Sequence, residues 1–228
     1  MANELIYFVE DDTNIYDLIE ATLTVNNFTP MGFYEPLSML KSIQIKKPDL
    51  ILLDLMLPHM NGYEVITYLK SNNDTSKIPV IFVSAKSSES DIVKGLDLGA
   101  NDYITKPFGI KELISRIKVN LNKTVVIDDG QNYEVGELFL DTAKHKFYVN
   151  GVVVELTLTE FQLLQYLMKN NSIVMTRNRL LKDIWGYTDA TETRTLDMHI
   201  RSLREKIQKH SSHPYIETVR GVGYVING

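Results

Sequence analysis

Leu50-Ile51-Leu52-Leu53-Asp54 sets four consecutive aliphatic side chains directly ahead of one carboxylate. Four residues are too few for a helix, and an unbroken apolar run suits a strand buried on both faces, as in a parallel sheet. Outward from it, runs rich in Ile, Val, Phe and Tyr occupy 5–9, 29–34, 80–83 and 102–105. Between the runs the spacing turns helical. Ile15, Leu18, Ile19, Thr22 and Leu23 follow i, i+3, i+4, i+7, i+8, and Leu113, Ile114, Ile117 and Leu121 nearly so. Strand–helix alternation repeated five times predicts an α/β domain around a parallel sheet. Roughly 120 residues suffice to bury such a core.

The alternation stops at 123–132, KTVVIDDGQN, where Asp128, Asp129 and Gly130 are turn formers. A linker is expected there, joining a first domain over 1–122 to a second over 133–228. In the second, 137–154 reads as short strands with turns at 141–143 and at Asn150-Gly151. Asn-Gly between apolar runs is a strong hairpin signal. Helical segments follow near 159–170, 176–185 and 192–209, and 216–219 and 224–226 end the chain as a second hairpin.

Composition removes several classes. The 228 residues are 44% apolar and 23% charged, which excludes a wholly disordered chain. No apolar run approaches the roughly 18 residues needed to cross a bilayer. Glu4, Glu10, Asp11 and Asp12 break any cationic-then-apolar leader. A cytoplasmic location with no membrane partner is therefore expected. The absence of cysteine excludes disulfides and thiol catalysis. The net charge of −5 divides unevenly: −5 over 1–122, −1 over 123–132 and +1 over 133–228.

In a parallel α/β sheet, ligands bind beyond the carboxyl ends of the strands. Glu10, Asp11 and Asp12 follow the first strand, Asp54 the third, Ser84 the fourth, and Lys106 with Pro107 the fifth. Any one of these suits a turn or a helix cap. Their gathering at one edge is the informative observation. Converging carboxylates repel one another unless a cation sits among them, and hard oxygen ligands suit Mg²⁺. Lys106 supplies a further positive charge. Such a site would bind a phosphoryl group, with Asp54 as a nucleophile forming an acyl phosphate and Ser84 bonded to a phosphoryl oxygen.

Phe8-Val-Glu-Asp-Asp, Leu52-Leu-Asp-Leu-Met-Leu-Pro with Gly62, Val83-Ser-Ala-Lys and Gly99-Ala-Asn-Asp-Tyr-Ile-Thr-Lys-Pro-Phe108 resemble the receiver domain of two-component response regulators. The resemblance implies a doubly wound five-stranded parallel sheet of order 2-1-3-4-5. It implies that Asp54 accepts a phosphoryl group from a sensor histidine kinase. Glu10, Asp11, Asp54 and the Met56 carbonyl would hold Mg²⁺, and Ser84 and Lys106 the phosphoryl group. Ser84 and Tyr103 would form the switch pair, the hydroxyl moving to the phosphate as the ring turns inward. Asp12 reads instead as a helix-start residue.

Within 192–209, Leu196, Ile200, Leu203 and Ile207 are spaced 4, 3 and 4, an apolar stripe. At roughly 100° per residue, Arg194, Arg201 and Glu205 fall nearly opposite it, with Arg204 and Asp197 flanking. Arginines on an open helix face suit phosphates or guanine edges, or simply solvent. The preceding helix has capping-box candidates at Thr157-x-x-Glu160 and Thr159-x-x-Gln162. Three helices followed by a hairpin with Arg220 at its tip are the layout of a winged helix-turn-helix.

Leu158-Thr-Glu-Phe-Gln-Leu-Leu164, Arg179-Leu-Leu-Lys-Asp-Ile-Trp-Gly186, Arg194-Thr-Leu-Asp-Met-His-Ile-Arg-Ser-Leu-Arg-Glu-Lys206 and Thr218-Val-Arg-Gly-Val-Gly-Tyr224 resemble the DNA-binding domain of the OmpR/PhoB subfamily. That implies an α+β domain whose 192–209 helix enters the major groove, with Arg220 toward the minor groove. Arg194, Thr195, His199, Arg201 and Arg204 become DNA contacts, and Arg177 and Trp185 candidates for the DNA backbone. For Trp185 and His199, packing in the core is the alternative. Position 202 is Ser where some relatives carry a further base-reading Arg. The resemblance also implies a homodimer on phosphorylation through Asp97, Asp102, Lys111, Glu112 and Arg116. Ile92 stands where many members carry a base, and Asn101 replaces the commoner Asp. Met56 cannot orient a water, which predicts slow loss of the phosphoryl group.

The leading expectation is a phosphorylation-dependent transcription regulator, not an enzyme beyond its own phosphorylation and dephosphorylation. Its expected partners are the kinase, promoter DNA with paired half-sites and, as a further candidate, RNA polymerase. The alternatives are a phosphotransferase or phosphatase using the same site, and a receiver that works without phosphorylation.

Overall fold

The computed structural model describes residues 4–121, 131–185 and 194–228, with Arg194 described by its backbone alone. The chain forms two units that divide between residues 121 and 122. Most of the expected linker therefore lies outside the described residues. Gln131 and Asn132 belong to the second unit, because Thr142 Oγ1 donates to the Gln131 carbonyl at 2.9 Å.

In the first unit, β1 (Leu5–Val9), β2 (Thr29–Phe33), β3 (Leu50–Leu53), β4 (Val80–Ser84) and β5 (Asp102–Thr105) form one sheet in the order β2-β1-β3-β4-β5. Every pairing is parallel. The three central strands, β1, β3 and β4, are buried along their whole length, which explains their apolar runs, and the edge strand β5 is buried over three of its four residues. β2 alternates because it is an edge strand, and it carries Pro30 where no further strand needs its N–H.

Five helices cover the sheet: α1 (Thr13–Val25), α2 (Pro36–Ile45), α3 (Gly62–Ser71), α4 (Glu89–Asp97) and α5 (Ile110–Leu121). Ile19 and Leu23 of α1 and Leu113 and Ile117 of α5 share one core with Ile6, Phe8, Leu50 and Ile81. Asp12 caps α1, its Oδ1 accepting from Asn14 N at 2.8 Å and Ile15 N at 3.1 Å, so the helix-start role is the one it fills. Asn61 and Glu64 form a capping box on α3, and Ser88 caps α4. These caps set the loops that follow β3 and β4, where the site lies.

The second unit opens with an antiparallel sheet β6-β7-β8-β9: β6 (Tyr133–Val135), β7 (Leu138–Asp141), β8 (Lys146–Val149) and β9 (Val152–Val154). It begins earlier than the sequence pattern suggests, since β6 precedes 137. Asn150 and Gly151 have φ of 52° and 78°, the left-handed pair an Asn-Gly hairpin needs. Three helices follow: α6 (Leu158–Lys169), α7 (Arg177–Trp185) and α8 (Arg194–Gln208). Thr157 and Glu160 make the capping box of α6, whereas Thr159 lies inside the helix. β11 (Ile216–Val219) and β12 (Gly223–Ile226) form the wing, with β10 (Met175–Thr176) on the far side of β12. A Cβ at Gly223 would stand 1.9 Å from the Met175 carbonyl oxygen, so only glycine lets β10 and β12 approach. One core joins sheet, helices and wing through Phe147, Leu164, Leu180, Trp185, Ile200 and Tyr224.

Candidate functional site

The carboxyl ends of β1, β3, β4 and β5 bring Glu10, Asp54, Ser84 and Lys106 together. Lys106 Nζ lies 2.6 Å from Asp54 Oδ2 and 2.8 and 2.7 Å from the two oxygens of Glu10. Met56 N donates to Asp54 Oδ1 at 3.0 Å, fixing the carboxylate from its other side. Glu10 and Asp54 are buried, while Asp11 is exposed at the rim. Oxygens of Glu10, Asp11 and Asp54 come within 4.8 Å of one another. Three hard oxygen donors, two of them shielded from water, fit a divalent cation such as Mg²⁺.

Electrostatics follow from burial. Burial pushes the Glu10 carboxyl above its ordinary range, and the Lys106 ammonium offsets part of that rise. Burial alone would pull Lys106 down, but its bonds to Asp54 and Glu10 outweigh it and the net shift is upward. One ammonium thus holds both carboxylates, and the Lys106–Pro107 peptide that leads away from it is cis.

Ser84 is fully buried at the end of β4. Tyr103 is also buried, its ring 5.9 Å from Phe82 and its hydroxyl donating to the Lys86 carbonyl at 2.7 Å. The ring is therefore already turned inward here. Burial holds its phenol well above the usual tyrosine range.

The expected dimer residues divide into two kinds. Asp97 and Lys111 are exposed. Arg116 is fully buried and forms ion pairs inside its own chain, Nη1 to Asp102 Oδ1 at 2.6 Å and Nε to Glu112 Oε1 at 2.8 Å. These three residues hold β5 to α5 as they stand. Asn101 is buried as well, and its Oδ1 accepts from Val80 N at 3.1 Å. It joins the starts of β4 and β5, so its replacement of Asp removes no surface charge. Ile92 is buried in α4.

In the second unit, α8 buries a wider arc than its apolar stripe. His199 and Ser202 are as inaccessible as Leu196 and Ile200. His199 packs its ring 5.4 Å from that of Trp185, at the junction of α7 and α8, so neither side chain faces outward to meet DNA. Thr195 is also buried, in the first turn, which removes it from the accessible face. Ser202 donates to Glu160 Oε1 at 2.6 Å, and Lys206 Nζ lies 2.6 Å from Glu160 Oε2. Position 202 therefore points at α6, and its serine takes nothing from the reading face.

Arg201 is exposed and pairs with Glu205 at 2.9 Å. Arg220 is exposed in the β11–β12 turn beside Gly221, whose φ is 73°. Arg204 is half-buried and committed to the wing: Nε donates to the Ile216 carbonyl at 2.9 Å and Nη2 to Thr218 Oγ1 at 2.8 Å. Arg177 grips Asp197 of α8 through two nitrogens, at 2.6 and 2.8 Å, and Nη1 reaches the Tyr224 hydroxyl at 3.0 Å. The Tyr224 hydroxyl in turn donates to Asp197. The Arg194 side chain lies outside the described residues. Sequence spacing did not disclose the Glu160–Lys206 pair or the Arg177–Asp197–Tyr224 cluster. Their members are 20 to 47 residues apart in the chain and carry no local periodic signal.

Two family models match the chain: response regulator receiver domain over residues 6–118, and transcriptional regulatory protein, C terminal, over residues 151–226. The chain is 39% identical to the sensory transduction protein RegX3 of Mycolicibacterium smegmatis, covering 98% of this chain and 99% of that protein. It is 41% identical to the response regulator ArlR of Staphylococcus aureus, covering 97% and 98%. Among solved structures, DrrB of Thermotoga maritima, described as an OmpR/PhoB homolog, aligns with a TM-score of 0.53 and 29% identity over 99% of this chain and all (100%) of that one. A C128D mutant of RitR aligns with a TM-score of 0.65 and 28% identity over the same shares. A receiver sheet bearing a carboxylate–lysine site, a winged helix after it, and relatives matched along their full length lead to one conclusion: the chain belongs to the two-component response regulators of OmpR/PhoB type, which are DNA-binding transcription regulators.

Proposed function

We propose that Asp54 accepts a phosphoryl group from the phosphohistidine of a sensor kinase and that the modified chain binds promoter DNA as a dimer. The observation that carries this is the Asp54 carboxylate, buried yet held at both oxygens by Lys106 Nζ and Met56 N. A carboxylate fixed in this way is oriented for attack on phosphorus. The P–N bond of the donor breaks as the P–O bond forms, and the imidazole leaves with the electron pair. Lys106 remains beside the new phosphoryl oxygens, and the Ser84 hydroxyl, at the end of β4, receives one. Mg²⁺ held by Glu10, Asp11, Asp54 and the Met56 carbonyl would neutralise charge on the phosphoryl oxygens. The chain acts as a regulator whose only chemistry is its own phosphorylation and hydrolysis.

The two domains, 1–122 and 133–228 joined by 123–132, divide these tasks. Arg194, Arg201 and Arg220 supply the DNA contacts, with Arg204 bracing the wing. Asp97 and Lys111 offer charges to a second copy, and the Arg116 cluster shapes that surface. RNA polymerase is the onward partner at the promoter. The proposed location is the cytoplasm, which agrees with the lack, among the described residues, of any helix long and apolar enough to cross a membrane.

The test is a mobility shift on duplexes selected from a random pool, with and without a small phosphodonor and Mg²⁺. Binding stimulated by phosphorylation and weakened by salt is expected. Binding indifferent to the phosphodonor would favour a receiver that works without phosphorylation.

A further inference from the structure

Tyr63 stands in the first turn of α3, yet it makes its polar contacts with α4. Its hydroxyl lies 3.2 Å from Asp91 Oδ1 and 3.3 Å from the Asp91 carbonyl. Lys94 Nζ sits 4.3 Å above its ring and Lys86 Nζ 5.4 Å. Its ring edge meets Phe82, centroids 6.0 Å apart, and Phe82 in turn meets Tyr103. These rings form the seat of α4. A Cβ on Gly95 would approach Phe82 to 3.0 Å and Tyr103 to 3.3 Å, so the helix lies directly on them.

Lys86 ties the same seat to the switch. Its N–H reaches Ser84 Oγ at 3.4 Å, its carbonyl accepts from the Tyr103 hydroxyl at 2.7 Å, and its ammonium lies 3.5 Å from Asp91. Ser84, Tyr103, Asp91 and Tyr63 therefore all meet one residue of the β4–α4 loop. Movement of the Ser84 hydroxyl toward Asp54 would give up its contact with Lys86 N, the residue whose other contacts locate α4.

We infer that Tyr63 is a positioning residue that pins α4 and, through Lys86, couples the state of Asp54 to the α4 surface. This rests on the reading of Asp54 as the phosphoacceptor. Tyr63 touches no reacting group; it acts through α4. A cation–π contact and a hydrogen bond to a carboxylate both depend on the ring and hydroxyl of tyrosine, which a leucine cannot supply.

The experiment uses the full chain with Tyr63→Leu, which removes ring and hydroxyl, and Tyr63→Phe, which keeps the ring. Three quantities are read: phosphoryl uptake by intact mass, the ratio of dimer dissociation constants without and with phosphodonor, and hydrogen exchange across 89–97. In Tyr63→Leu, uptake is expected within about two-fold of wild type while the ratio falls by about 5-fold or more, the lower end of typical allosteric couplings. Exchange in α4 should quicken, and Tyr63→Phe should fall between the two. If Tyr63→Leu does not fold, Tyr63→Phe alone decides by the same readouts. An unchanged ratio with unchanged α4 exchange would overturn the inference, as would loss of phosphoryl uptake in step with the ratio. If the wild type itself takes up no phosphoryl group, the parent reading fails. Exchange in the unmodified proteins then still decides whether Tyr63 pins α4.

Discussion

Lys106 holds two carboxylates with one ammonium, and its raised pKa fixes the sign of its pH response. A group with a raised folded pKa contributes stability below its unfolded pKa and loses it as pH rises through the folded value. The Lys106 contribution should therefore persist through neutral pH and fade only above the ordinary lysine range. Lys70 is the opposite case. Its ammonium is buried and donates to the Ser76 and Ile78 carbonyls, both at 2.9 Å, and burial lowers its pKa to about 8. Between about 8 and the unfolded value of 10.5 the unfolded chain binds the extra proton, so stability should rise with pH there, by at most about 1.4 kcal/mol per pH unit. Lys70→Met should flatten that rise in chemical denaturation followed from pH 7 upward; an unaltered slope would contradict it. Glu160 offers a larger effect. It is fully buried against Lys206 and Ser202, so Glu160→Gln should destabilise the second unit by about 3 kcal/mol, seen in its unfolding midpoint. Met56 is exposed beside Asp54 with no group able to orient a water, and the phosphorylated form should decay over minutes or longer. Decay in seconds would sink that expectation.

At the scale of elements, Arg204 ties α8 to the wing through the Ile216 carbonyl and the Thr218 hydroxyl. Arg204→Ala should loosen β11 in hydrogen exchange and weaken DNA binding without changing its salt slope. Arg220→Ala should instead reduce that slope by about one, as loss of a phosphate contact does. Equal changes in slope would place Arg204 on the DNA rather than on the wing. Gly223→Ala forces a Cβ onto the β10 backbone and should cost about 1–3 kcal/mol, the range for overpacking. Elements were legible in the sequence wherever a local pattern generates them. The aliphatic runs before Glu10, Asp54 and Ser84 are strands, and Asn150-Gly151 is a turn. The buried face of α8 was only half legible. His199 and Ser202 are polar, and what buries them comes from Trp185 and Glu160 on other helices. No spacing within α8 carries that information.

For the whole molecule, the site at Asp54 was legible because topology alone places the carboxyl ends of parallel strands together. The pairing of Arg116 with Asp102 and Glu112 inside the chain was not legible, because it joins β5 to α5 across the fold. A residue list cannot distinguish a charge waiting for a partner from one already paired. The second half carries a net charge of only +1, so a single copy should bind DNA weakly. Two linked copies gain through effective concentration at paired half-sites. All of this depends on one covalent event. Its direct test is the intact mass of the full chain after incubation with Mg²⁺ and a small phosphodonor, beside Asp54→Asn. One added phosphoryl group in the wild type and none in the variant is the predicted result. No addition to a folded wild type, or equal addition to both proteins, would contradict the assignment of Asp54.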